Sequence, residues 1–512
     1  MSRKNLLVKP VIYRPIAIII AAVFLLNACD VVNTNTKETT PPAVEPLNIS
    51  MMVPLHQVKA PPNELISRIE QATQTKLDID WVPYDIYKEK MINALETNSP
   101  KKVIFVNQPD YVYVRNEIRS GMFWEIGPYL DLYPNLKNVN KTILNETSVD
   151  ERIYGLYTER PASRQGVILR KDWLDRLNLK EPATIDELYN VMKKFTYNDP
   201  DGNGKQDTIG LADRNDLVFG AFKTLGSYFG TPNNWGVVED RLVPEFMTSE
   251  YIHTMDFMKK LYDENILNRD FSITSKQVER YMIISGKAGG YIGSLEDTPR
   301  LLDELQKLNP AAELTIINRI RGPHGYGVWS IPSFNGLFLF SKKEIKTEAE
   351  LKKILAYFDR TMESDVSNIM QYGLEGKYYT IEEGKVVKTP AMNQMHNMDV
   401  LPLYSLMIAN LNNRILKQKE EAQDPLQAKI SKLTSDNESI LIRDPAQSLF
   451  SPTYDMVGGE LWPIVVNATY SYILGQIDLN GFQKEIDKWE RKGGGQIIKE
   501  YTEAYRKRIS QK

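Results

Sequence analysis

LNISMMVP (Leu47–Pro54), NELISRIEQATQT (Asn63–Thr75), LDIDW (Leu77–Trp81), YKEKMINALE (Tyr87–Glu96) and VIFV (Val103–Val106) follow one another in a chain of 512 residues. The first run is a candidate buried strand, and the last is a continuous apolar stretch of buried-strand length. The second carries Leu65, Ile66 and Ile69 on one helical face, and the third alternates Leu77, Ile79 and Trp81 with Asp78 and Asp80. Strand, helix, strand, helix, strand is the order of an open α/β sheet. Ligands of such sheets sit beyond the carboxyl ends of the strands. That rule places His56 and the turn Gln108–Tyr111, with Asp110 in it, beside a cleft.

Upstream, Arg3, Lys4, Lys9 and Arg14 precede the apolar run Ile16–Leu26, which ends in Leu26-Asn27-Ala28-Cys29. A basic start, a short apolar core and small residues before a cut site describe a secretory signal over 1–28, too short to span a bilayer. A cysteine there resembles a bacterial lipobox, so Cys29 is the candidate lipidation site; an ordinary signal peptide or an uncleaved anchor is the alternative. Residues 29–46 then form a Thr- and Pro-rich tether. Without 1–28 the chain has 59 basic and 66 acidic residues, a formal charge of −7. Near balance of the two signs excludes a nucleic-acid footprint. One cysteine and four histidines exclude a disulfide framework and a zinc cluster.

Downstream, Val167–Leu169 reads as a buried strand. Thr184 and Glu187 make a capping box, and Leu188, Val191, Met192 and Phe195 give an amphipathic stripe behind it. The helix runs into NDPDGNGKQD (198–207). Asp199, Asp201, Asn203 and Asp207 occupy positions 1, 3, 5 and 9 of an EF-hand-like loop, with Gly204 at the turn and Lys205 offering its carbonyl. These five are the candidate Ca²⁺ ligands, in a structural role; Gly210 stands where a bidentate Glu is expected. A solvated Asx/Gly turn has the same composition.

Sugars present apolar CH faces and rings of hydroxyls, and aromatic side chains supply flat platforms for them. Trp235 in a turn-rich stretch, Trp329 in Gly327–Ser330 and Trp462 in the loop-like Gly458–Pro463 are the candidate platforms. Tyr228 and Tyr291 come next, with Asp110 and Arg164 as hydrogen-bonding partners. Packing in a core is the competing role for each. The chain has no G-x-S-x-G, H-E-x-x-H or Walker loop and no dinucleotide fingerprint after a strand, so no catalytic residues are assigned.

Several stretches, in order, resemble one family. They are Gly121–Leu130 (GMFWEIGPYL), Tyr133–Lys137, Ile153–Leu156, Leu169–Leu177, the Asp199 loop, Gly286–Gly289, Gly373–Lys377 and Gly493–Ile498. The family is the extracellular solute-binding protein family 1 of ABC importers, in particular its large calcium-loop lipoproteins from Gram-positive bacteria. Members often carry an acidic residue where this chain has Thr208. The resemblance implies a two-lobed, periplasmic-binding-protein-like (class II) α/β fold with the ligand between the lobes. It places 47–165 and about 330–390 in lobe 1, and about 166–329 and 391–512 in lobe 2. Crossings are expected near Ala162–Val167 and Trp329–Asn335. It further implies a lipid-anchored, monomeric protein on the extracellular face of the cell membrane, which hands an oligosaccharide to ABC permease subunits. A sensory lipoprotein signalling to a membrane kinase, or a secreted glycan-active enzyme, are the alternatives.

Overall fold

The computed structural model describes residues 46–97, 99–409, 416–417 and 425–510. Cys29, the signal segment and nearly all of the tether lie outside the described residues. Pro46–Lys512 forms one compact unit. Within it eight strands build two sheets: β1 (Leu47–Leu55), β2 (Thr75–Pro83), β3 (Val103–Asn107), β4 (Gly155–Glu159), β5 (Gln165–Arg170), β6 (Gly290–Ser294), β7 (Leu314–Ile317) and β8 (Phe334–Phe340).

The first lobe holds the sheet β2-β1-β3-β8-β4. β1 pairs parallel with β2 from Leu47↔Thr75 to Leu55↔Pro83, and parallel with β3. β8 arrives from far down the chain and lies antiparallel between β3 and β4, with Phe338 opposite both Phe105 and Leu156. Every residue of β3 is buried, the apolar run Val103–Val106 as its composition demands and Asn107 with it. The core gathers Ile49, Met51, Val53, Leu65, Ile69 and Phe338 under the helices Asn63–Thr73 and Glu348–Thr361. Buried Asp359 ties the second of these to the Tyr133–Lys137 turn, accepting the amides of Asn135 at 2.8 Å and Leu136 at 2.9 Å. Val400, Leu403, Leu406 and Ile408 join the same core. The first lobe's packing therefore continues past the boundary near 390 expected from sequence. The His396 ring nitrogen, 2.8 Å from the Gln371 carbonyl, fastens that extension.

The second lobe holds the antiparallel sheet β6-β5-β7. Thr184 caps the helix Ile185–Tyr197 by accepting the Glu187 amide, while Glu187 reaches back to the Ala183 amide at 2.7 Å. The capping box thus closes one residue earlier than its usual form. Val191, Met192 and Phe195 bury the helix against Trp173, whose ring meets Phe195 edge-on at 5.4 Å. Near the end of the chain the helices Leu479–Trp489 and Gly495–Ser510 are separated by an irregular turn. There Gly493 takes a φ of 134°, open to a residue without Cβ.

Candidate functional site

The site is built around the crossings between the lobes. β4 passes to β5 through 160–164, and Val328–Trp329 passes to β8 through 330–333. These two segments are bonded to one another: Arg160 N donates to Ser333 O at 3.0 Å and Ile331 N to Ala162 O at 2.8 Å. A third segment, Leu441–Ile442, pairs parallel with Val328–Trp329. Asn233, buried, donates to the carbonyls of both Ser330 (2.7 Å) and Ile442 (3.1 Å).

Two cavities flank these segments, each lined from both lobes. The polar cavity, about 750 Å³, is bordered by His56 and Glu159 of the first lobe, by Arg160, and by Glu296, Thr434 and Glu438 of the second. The Glu159 carboxyl is pushed up to about 7, first by burial and then by the charge of Glu438. Burial holds the His56 imidazole below its ordinary value, which keeps it neutral. Two buried atoms here have no partner among the described residues, Glu159 Oε2 and Thr434 Oγ1.

The aromatic cavity, about 480 Å³, brings Trp235, Trp329 and Trp462 together with Tyr454 and Tyr501, and with Arg115 from the first lobe. Its polar floor is a chain of contacts. Lys223 Nζ donates to Asn234 Oδ1 (2.5 Å) and to Glu245 (3.1 Å), and Asn234 Nδ2 donates to Asp444 Oδ2 (2.9 Å). Burial raises the Asp444 carboxyl to about 6 despite that bond. The cavities adjoin where Arg160 donates to Gln108 Oε1 at 3.3 Å, since Arg160 borders one and Gln108 the other.

The structure thus gathers all three tryptophans read from sequence, although two have other secondary structure than expected. Trp235 opens a short strand, Trp235–Val238, and its ring packs edge-on against Tyr501 at 5.0 Å. Trp462 lies inside the helix Pro452–Ile473, which runs through both Gly458-Gly459 and Pro463. That helix is anchored by Ser451, whose hydroxyl caps it and donates to Glu500 at 2.6 Å. Trp329 is buried, with Nε1 donating to Thr224 Oγ1 at 3.0 Å; Trp462 stays 38% exposed.

The other four candidates lie apart from the tryptophans. Tyr228 is in the second lobe's core and borders neither cavity. Tyr291 faces a hollow of about 550 Å³ on the second lobe, where its hydroxyl donates to Asp297 at 2.6 Å. Asp110 pairs with Lys88 at 3.4 Å, and Arg164 with Glu296 at 2.7 Å, so Arg164 reaches the polar cavity only through its partner. His56 and Gln108, which the sheet rule puts beside the cleft, border the polar and the aromatic cavity, whereas Arg115, Glu159, Arg160, Asn233 and Thr434 are not singled out by sequence reading.

In the Asp199–Asp207 loop, Gly202 and Gly204 take φ of 71° and 77°, and Asp199 accepts the amides of Asn203 and Gly204, both at 3.0 Å. Asn203 Nδ2 donates to Asp201 (2.8 Å) and Asp207 (3.2 Å), so the side chains of positions 3, 5 and 9 converge on one point. The hydroxyl of Thr208 is directed inward, to the Phe195 carbonyl at 2.8 Å. Among the described residues no group of three His, Cys, Asp or Glu is spaced to hold a metal ion. The donor set is of the right oxygen type for Ca²⁺, with Asn203 at its centre, and it falls one carboxylate short at Gly210.

Comparison with known proteins fits this architecture. The bacterial extracellular solute-binding protein family matches residues 56–316. The polygalacturonan/rhamnogalacturonan-binding protein YtcQ of Bacillus subtilis (strain 168) is 43% identical over 493 residues, 96% of this chain and 98% of its own. The lipoprotein LipO of the same organism is 28% identical, over 89% of this chain and 92% of its own. Among solved structures, a solute-binding protein of Bifidobacterium longum infantis described as HMO-binding and ABC-transporter-associated superposes with a TM-score of 0.71 at 17% identity. That match covers 90% of this chain and 98% of the other. Two lobes joined by paired crossings, ligand-sized cavities between them and a family match over half the chain lead to one conclusion: this chain belongs to the bacterial extracellular solute-binding proteins.

Proposed function

We propose that the protein captures an oligosaccharide between its lobes and delivers it to an ABC importer. The observation that carries this reading is the meeting of Trp235, Trp329 and Trp462 around one inter-lobe cavity that the polar side chains of Gln108, Arg115 and Asn234 also border. Such a surface offers flat apolar area to sugar faces and polar atoms to their hydroxyls. Ligand held from both lobes favours the closed form, because only closure buries it on both sides, and the permease then recognises that form. The name of the relative YtcQ makes polygalacturonan and rhamnogalacturonan fragments the first ligands to test. A panel of uronic and neutral oligosaccharides is expected to raise the melting temperature of the purified domain. Stabilisation by peptides and by no glycan would overturn the reading.

The anchor and the metal complete the proposal. Cys29 carries lipid at the extracellular face of the membrane, and a Cys29→Ser chain is expected in the medium instead of the membrane fraction. No helix among the described residues is long and apolar enough to cross a membrane. Asp199, Asp201, Asn203 and Asp207 hold Ca²⁺ through side-chain oxygens, with the Lys205 carbonyl. The ion would pin the turn after the helix Ile185–Tyr197 and take no part in ligand capture.

A further inference from the structure

We propose that the hollow on the second lobe is a further glycan subsite, holding a sugar unit beyond those in the aromatic cavity, with Phe219 as its platform and Gln165 as its hydrogen-bond acceptor. The inference rests on the carbohydrate reading above and adds where a longer chain runs.

The hollow, about 550 Å³, falls in the ordinary size range of small-molecule sites. One stretch of backbone parts it from the aromatic cavity: Val218 borders that cavity, while its neighbours Asp216 and Phe219 border the hollow. The Phe219 ring is 48% exposed and meets the buried Trp329 ring edge-on at 5.5 Å. The two rings thus make a step from one space to the other. The step is held from within. Asp216 Oδ1 accepts the amides of Val218 (3.1 Å) and Phe219 (2.9 Å), and the Arg214 guanidinium donates to the Phe219 carbonyl. A platform already fixed by its own backbone is not ordered at the expense of binding.

Across the hollow lies Gln165, which begins β5 and pairs with Ser294 of β6. Gln165 is 8% exposed, and its Oε1 is buried without a partner among the described residues. A sugar hydroxyl is a donor of the kind this oxygen lacks. The charges that border the hollow are matched within the protein. Arg214 meets Glu279 at 2.5 Å and Asp216 at 3.6 Å, and Lys276 meets Asp297 at 3.2 Å. Recognition there therefore rests on a ring face and on hydrogen bonds, to which Ser294 and Asn215 add a hydroxyl and an amide.

Calorimetric titration of the whole extracellular domain with galacturonan and galactan oligosaccharides, from disaccharide to hexasaccharide, tests this. In a series that binds, the hexasaccharide is expected to bind at least about tenfold more tightly than the disaccharide. Phe219→Ala, at an exposed ring, should remove most of that gain, and Gln165→Leu about fivefold of it, while disaccharide affinity stays within about twofold of the parent. Phe219→Tyr should keep the gain. No gain with length in the parent, or a gain that survives both substitutions, overturns the subsite alone. An equal loss for short and long chains also overturns it, since the effect then belongs to the wall of the aromatic cavity. If no chain of either series binds, the carbohydrate reading falls with it.

Discussion

Arg443 Nη1 lies 2.6 Å from Glu146 Oε1, and the pair straddles Ser333, whose amide donates to Glu146 at 2.8 Å and whose hydroxyl is 3.0 Å from Arg443. Glu146 belongs to the first lobe, Arg443 follows the Leu441–Ile442 strand of the second, and Ser333 is part of a crossing. Burial pushes the Glu146 carboxyl up, and Ser333 and Arg443 pull it back. The three groups hold one angle between the lobes.

Removing one partner should therefore loosen the angle. Arg443→Met leaves a largely buried carboxylate without its cation, a loss of about 1.5–3 kcal/mol. A larger radius of gyration in solution scattering and weaker ligand binding are expected, with the secondary structure unchanged.

Two of the tryptophans should respond differently to truncation. Trp329 is buried and bonded to Thr224, so Trp329→Ala should cost about 3–5 kcal/mol of stability. Trp462 is partly exposed at the cavity wall, so Trp462→Ala should change stability by about 1 kcal/mol or less and weaken glycan binding about tenfold. Chemical denaturation and calorimetry separate the two effects.

EDTA is expected to lower the melting temperature and added Ca²⁺ to restore it. Asp199→Asn should abolish the difference, since it weakens the loop's first carboxylate. An identical melt with and without EDTA would remove calcium from the account.

Stability should fall as pH rises from the ordinary glutamate range to about 7. Over that window Glu159 keeps its proton in the folded state and loses it in the unfolded state, so the folded form binds more protons. Deprotonation beside Glu438 completes the loss above pH 7. Glu159→Gln should flatten the profile, raising the melting temperature at pH 8 by on the order of 2 °C relative to the parent.

Local signals carried the sequence reading a long way. The strands Leu47–Leu55 and Val103–Asn107 and the capped helix Ile185–Tyr197 fall where apolar period and cap residues put them, because their burial follows from local pattern. Trp462 shows where such reading stops. Two glycines and a proline suggest a loop, yet tertiary packing and the Ser451–Glu500 contact keep the helix intact. Turn composition likewise hid the strand beginning at Trp235. Tyr228 and Tyr291 are as aromatic as the platform residues, and only the fold decides which ring faces a cavity. Arg115, Asn233 and Thr434 carry no motif; each is notable because one of its atoms is buried without a partner, a property of the folded chain alone.

The position of β8 has a consequence for biosynthesis. Phe334–Phe340 is the strand that joins β3 to β4, so those two edges stay unpaired until the whole stretch Gln165–Trp329 has been made. A chain emerging amino end first cannot finish its first lobe before most of its second has appeared. Exposed sheet edges recruit foreign strands. The first sheet thus stays unfinished while the second lobe is made, and refolding should show a slow phase set by the docking of this one late segment.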